Sequence, residues 1–281
     1  MTSASPPLVL GASGRIGRAL RYRWGAEAAR WQARRAGAGA GWHLCDPLEQ
    51  PEALVTAAAQ AGQILCLAGP VPAQGVDLED HIRLAEASVR AAAPHGLRVV
   101  LASSAAVYGA QEGLLHEDLP LCPTNPYGEA KARMEARAQA LGQELGVSVS
   151  CLRIGNIAGF DAILGGWRPG FRLDQFADGR TPRRSYIGPL TLADVLAVVL
   201  AAPEVPEVLN IAQPEPVEMG ALLTAAGRAY ATAPAPQSAI AEVALDLSRL
   251  VAFLAGTSDL PPADPAAMIA EMALLEPHMK D

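Results

Sequence analysis

Cysteine is scarce. The four thiols, Cys45, Cys66, Cys122 and Cys151, lie far apart in 281 residues and form no Cys-x-x-Cys pair. That spacing argues against a disulfide frame or a cysteine zinc site, and implies reduced, buried thiols in a cytoplasmic protein. Long hydrophobic runs are also missing, and the opening MTSASPPLVLGASG has no basic n-region. Neither a membrane span nor a signal peptide is therefore expected. There is no basic excess: the formal net charge is −7, which argues against a nucleic-acid surface while leaving room for a local anion pocket. The five histidines, His43, His81, His95, His116 and His278, share no ligand spacing, so no metal is expected and each reads as a surface or capping residue. No internal repeat is visible.

What is present is apolar. Hydrophobic residues make up 51% of the chain, enough for one large core or two modest ones. Through the first half, short apolar strands alternate with helices. Strands are predicted at 7–13, 31–35, 42–46, 63–69, 97–109 and 147–154, and helices at 15–29, 51–62, 77–96 and from Tyr127 onward. Such alternation implies right-handed βαβ units and a doubly wound parallel sheet, an α/β fold of Rossmann type. After Gly155 the pattern loosens, with a helix at 190–202, a strand at 208–212, a linker-like turn at TAPAPQS (232–238) and a terminal helix. The expected organisation is a dinucleotide-binding domain over 1–154, rejoined by 186–212, and a smaller C-terminal substrate-binding lobe over 155–281.

Three motifs carry chemistry. GASGRIG contains Gly11, Ser13, Gly14, Arg15, Ile16 and Gly17, and sits between a strand and a helix. There the first glycine permits a tight turn, the second lets backbone N–H groups approach a pyrophosphate, and the third allows close helix–strand packing. About twenty residues on, where an NAD site places an acid for the ribose hydroxyl, the chain has Arg34 and Arg35, and its first acid after them is Asp46. A guanidinium pair suits a 2′-phosphate, and Arg15 adds to that field, so NADP is favoured over NAD. The third motif is LASSAAVYG followed by NPYGEAK. Ser103 and Ser104 stand where a strong strand ends, the edge at which open α/β sheets bind ligands. Tyr127 and Lys131 lie one helical turn apart. The phenol would exchange a proton with a substrate oxygen, Ser104 would hydrogen-bond that oxygen, and the Lys131 ammonium would lower the Tyr127 pKa.

Together GASGRIG, SSAAVYG and PYGEAK resemble the extended short-chain dehydrogenase/reductase family, in its NAD-dependent epimerase/dehydratase branch, over about residues 7–212. The resemblance implies Ser104, Tyr127 and Lys131 as catalytic residues, with Lys131 also against the cofactor. It implies Ala68 and Gly69 beside the nicotinamide ribose and Asp46 near the adenine. Asn156, in LRIGNIAG, becomes a substrate contact, with Ser103 another, and Arg184 matches an arginine that grips a substrate diphosphate. Helices 77–94 and 127–145 would build a homodimer. There are departures: Arg35 replaces the acid of NAD-using epimerases, and Thr191 stands where an aspartate is usual. Ser104, Ala105 and Ala106 replace the Thr and Asp-Glu of the dehydratases, which excludes sugar dehydration. The expected function is an NADP-preferring oxidoreductase or epimerase acting on a secondary alcohol or ketone of a sugar-like small molecule. Two alternatives are a nucleotide-sugar 4-epimerase with tightly bound NAD and a non-catalytic dinucleotide sensor.

Overall fold

The computed structural model describes residues 5–35, 41–71 and 75–279. The GAGAG stretch at 37–41 falls outside these except for Gly41, as do the first four residues. In chain order the elements are β1 (Leu8–Leu10), α1 (Arg15–Trp24), β2 (Arg30–Ala33), β3 (Trp42–Leu44), α2 (Pro51–Ala58), β4 (Ile64–Cys66), α3 (Asp80–Ala92), β5 (Val99–Ser104), β6 (Leu114–Leu115), α4 (Pro126–Leu145), β7 (Val149–Ile154) and β8 (Asn156–Ile157). They continue as β9 (Arg172–Gln175), β10 (Arg183–Arg184), β11 (Tyr186–Ile187), α5 (Pro189–Ala201), β12 (Val208–Ile211), β13 (Val217–Glu218), α6 (Met219–Ala225), β14 (Ala231–Pro234), β15 (Glu242–Leu245), α7 (Ser248–Leu254) and α8 (Pro265–Met279).

Seven strands form one parallel sheet in the order β12-β7-β5-β4-β1-β2-β3. The winding direction reverses between β1 and β4, which opens a crevice at the carboxyl ends of those strands. The central strands β1, β4 and β7 are buried on both faces, so their sequences read as largely apolar runs, whereas the edge strand β3 is partly exposed. Leu8 and Leu10 pack with Leu54, Val89 and Met134 on one side, while Val9 packs with Leu20, Leu196 and Leu250 on the other. β12 returns from the second half of the chain to pair with β7.

The remaining strands form three smaller sheets. β13, β10, β15 and β6 form one, β11 and β8 a second, and β14 and β9 a third. The strand β14 corrects the turn expected at TAPAPQS: Thr232, Ala233 and Pro234 pair in parallel with Leu173, Asp174 and Gln175. An edge pair with both faces mostly exposed leaves no alternating pattern to read, and it tolerates a terminal proline. Other boundaries also moved. Helix α1 stops at Trp24 because Gly25 takes φ +90°. The strand expected over 97–109 ends at Ser104, and a 3₁₀ turn covers Ala105–Tyr108. Of the cysteines, Cys122 is exposed, against expectation.

Helix α8 packs back on the first helix layer, with Leu275 against Ala19 and Leu190. Its Glu271 caps α5: the carboxylate accepts from the Leu190 and Thr191 backbone N–H groups at 2.7 and 3.0 Å and from the Thr191 hydroxyl at 2.6 Å. Glu271→Ala is expected to cost about 1–2 kcal/mol, by loss of the cap and of a negative charge at a helix N-terminus, read as a lowered denaturation midpoint with unchanged slope. No described helix is long and apolar enough to cross a membrane.

Candidate active site

The glycine turn is built as its residue types require. Gly11 has φ +76°, and a Cβ there would lie 2.7 Å from the Ala68 backbone. A Cβ on Gly17 would lie 2.4 Å from Ala12 in the preceding turn, so α1 seats directly on β1. Gly14 is the N-cap of α1; it has no side-chain cap, and the first turn holds no acid. The first N–H groups are therefore left for an anion, as a pyrophosphate cradle needs. Gln32, fully buried on β2, braces the turn: its carbonyl oxygen accepts from Gly11 N at 2.9 Å and its amide donates to Cys45 O at 2.6 Å.

Two clefts meet over this turn, sharing Gly11, Gly14, Leu67, Gly69 and Pro70. The larger, about 900 Å³, is lined by Ser13, Arg34, Asp46 and Ala68 among others. Arg34 and Arg35 are both exposed at the end of β2, but Arg35 does not line the cleft. The smaller, about 340 Å³, is lined by Arg15, Ile16, Gly17, His81, Ser103, Ser104, Tyr127, Lys131, Asn156 and Asp161. Arg15 spans it, donating to the Phe160 carbonyl at 2.7 Å. The three residues predicted to be catalytic are thus gathered at the sheet's switch point. Asn125 caps α4 by accepting from Gly128 N at 2.9 Å, which sets Tyr127 in the first turn.

The electrostatics differ from expectation in one respect. Burial pushes the Tyr127 phenol above its ordinary value; a side-chain hydrogen bond with Ser104 and the Arg15 charge only partly oppose it. Lys131 is not what holds it down. Its ammonium donates to the Ala102 carbonyl at 2.7 Å and lies 5.9 Å from the Tyr127 ring centroid. Burial lowers Lys131 itself to about 8. In this state Tyr127 is a neutral phenol across the physiological range, the form needed to donate a proton.

Two predicted contacts point elsewhere. The Ser103 hydroxyl donates to the Glu135 carboxylate, inside a buried network in which Arg153 pairs with Glu135 at 2.9 Å and donates to the Tyr108 hydroxyl at 3.0 Å. Arg184 does not line the cleft. Its guanidinium donates to the carbonyls of Arg183, Ile240 and Ala241, which β10 and β15 bring together. Asn156 stays at the cleft. Two cleft residues were not anticipated. Asp161 accepts from the Tyr186 hydroxyl at 2.5 Å, and burial raises its pKa. His81 is buried against Tyr127, where a surface position was expected. It sits one turn before Ala85 on the apolar stripe of α3, a spacing that marks the inward face.

Sheet order, glycine turn and Tyr/Lys helix together define a protein of the short-chain dehydrogenase/reductase type. Residues 7–165 match the NAD-dependent epimerase/dehydratase family, and the chain belongs to that family of enzymes. A 65-residue segment is 43% identical to the UDP-glucose 4-epimerase of Azospirillum brasilense, covering 23% of this chain and 19% of that protein. A short-chain dehydrogenase/reductase superfamily protein from Agrobacterium tumefaciens with bound NAD superposes with TM-score 0.75 at 20% identity, over 98% of this chain and 99% of that one. MoeE5 in complex with UDP-glucuronic acid and NAD gives TM-score 0.77 at 21% identity, over 96% and 99%. At such identities the likeness is one of fold.

Proposed function

We propose that this enzyme moves hydride at a secondary alcohol or ketone carbon of a sugar-like substrate, with Tyr127 as acid/base. The observation that carries the reading is that Ser104, Tyr127 and Lys131 line one cleft that continues over the glycine turn. In it, residues 1–154 with 186–212 hold the dinucleotide, and the lobe over 155–281 supplies the substrate side. Gly11, Ser13, Gly14, Arg15, Ile16 and Gly17 would hold the pyrophosphate region, Asp46 the adenosine, and Ala68, Gly69 and Lys131 the nicotinamide half. Bound there, the nicotinamide ring supplies hydride exchange. In the reducing direction Tyr127 would donate its proton to the substrate carbonyl oxygen, and Ser104 would donate a hydrogen bond to the same oxygen. Asn156 contacts the substrate from β8.

The cofactor is proposed to be NADP, because Arg34 lines the adenosine cleft next to Arg35, the position at which NAD-using epimerases carry an acid. Arg34→Asp is expected to weaken NADP binding about tenfold to a hundredfold, by loss of a charge-assisted hydrogen bond, and to favour NAD. Titration calorimetry with both dinucleotides checks this, and unchanged affinities would refute the 2′-phosphate role.

A second reading, a 4-epimerase on tightly held NAD, is favoured by the segment shared with a UDP-glucose 4-epimerase. Steady-state assay without added cofactor separates the two, since only an epimerase turns over. A homodimer through α3 and α4 belongs to the same proposal. Their outward faces carry the pairs Arg133–Glu79 and Arg137–Glu86, so such an interface would cover ion pairs, and light scattering decides it.

A further inference from the structure

His81 is unexplained by anything above. Its side chain is only 3% exposed, and neither ring nitrogen has a hydrogen-bond partner among the described residues. A buried imidazole left unpaired is costly, so a native protein keeps one where something else completes it. Burial, with the Lys131 charge behind it, lowers the ring to about 3; the Pro70 carbonyl works weakly the other way without reaching hydrogen-bond geometry. The ring is therefore neutral, with one N–H to donate and one lone pair to accept.

Its position says which ligand group it meets. The ring stands edge-on to Tyr127, with centroids 5.5 Å apart. It also lies so close to Gly69 that a Cβ there would be 2.4 Å from Nδ1. Gly69 and Pro70 line both clefts, whereas His81, Tyr127 and Lys131 line only the smaller. A dinucleotide entering from the adenosine cleft crosses the glycine turn with its pyrophosphate. The next group along it, before the reacting ring, is the second ribose. We propose that His81 is a ligand-binding residue that hydrogen-bonds a hydroxyl of the nicotinamide-side ribose while its edge holds the Tyr127 ring in place. This rests on the dinucleotide reading of the cleft.

Two probes isolate the contact. ADP ends at the pyrophosphate and ADP-ribose adds the second ribose; each is used in its 2′-phosphorylated form if NADP is the tighter dinucleotide. By calorimetry, His81→Leu is expected to weaken ADP-ribose about tenfold, the worth of one buried hydrogen bond, and to leave ADP unchanged. His81→Gln, which keeps a donor and an acceptor, should recover part of the loss. Equal losses for both probes would mean that His81 only supports the fold, and no loss for either would also overturn the proposal. If His81→Leu does not fold, the wild-type protein still decides. The His81 ring proton resonance, assigned with His81→Gln, should move on adding ADP-ribose and stay with ADP, and the absence of that difference refutes the contact. A wild-type protein that binds neither probe would sink the dinucleotide reading itself. Binding of both probes with no effect at His81 would sink only this assignment.

Discussion

Tyr127→Phe is expected to lower turnover by about 10²–10⁴-fold, the usual contribution of one positioned acid/base, with dinucleotide affinity nearly unchanged. The substitution removes one hydroxyl from a mostly buried ring and leaves its edge contact with His81 in place. Retention of most of kcat would refute the proton-transfer role. The pH dependence has a definite sign. Burial raises the Tyr127 pKa above the 10.0 of a free phenol, so the protonated form prevails through the neutral range. Ketone reduction, which needs the phenol, should then run flat with pH and fall only on the alkaline side. Alcohol oxidation needs the phenolate and should climb as pH rises. Separate pH profiles of kcat/KM in the two directions check this. Reduction that declined already between neutral and mildly alkaline pH would mean that the bound cofactor brings Lys131 against the phenol and reverses the shift.

Arg153→Met should destabilise the protein by about 3–5 kcal/mol, because it leaves the Glu135 carboxylate buried without its cation. The pair is only 6% and 3% exposed at the side chains. Burial works against the Arg153 charge, but the Glu135 hydrogen bonds and charge outweigh it and hold the guanidinium above the ordinary arginine value. The network also reaches Ser103, next to Ser104 on β5, and Glu135 lies one turn after Lys131 on α4. Breaking it should therefore loosen the meeting of strand end and helix as well as the fold. Chemical denaturation measures the loss. The double change Glu135→Met with Arg153→Met should cost less than Arg153→Met alone, since no unpaired charge remains. Two single losses that simply add would show that the pair is not coupled.

The sheet was legible because its physics is local and repetitive. A strand buried on both faces must be largely apolar, as LVL, ILC and the VVLA of β5 are, and a helix laid on that sheet shows its stripe, as α3 does. The edge pair β9–β14 was not legible, because with little burial nothing constrains its side chains to alternate. Tyr127 and Lys131 were legible for another reason. Lys131 stands one helical turn behind a tyrosine at the start of a helix, downstream of the LASSAAVYG strand end.

By itself, the sequence determined the doubly wound fold, the glycine turn and the identity of the three groups brought to the crevice, since each depends on residue type at short range. Tertiary structure alone decided which of the neighbouring polar groups are free. It turned the Arg184 guanidinium onto the carbonyls of Ile240 and Ala241 just before β15, bound the Ser103 hydroxyl to Glu135, and put the ring of His81 beside the phenol with no hydrogen-bond partner among the described residues. Hydrogen-bond partners come from segments far apart in the chain, and a group's charge state follows from its burial among them, so neither can be read before the chain has folded.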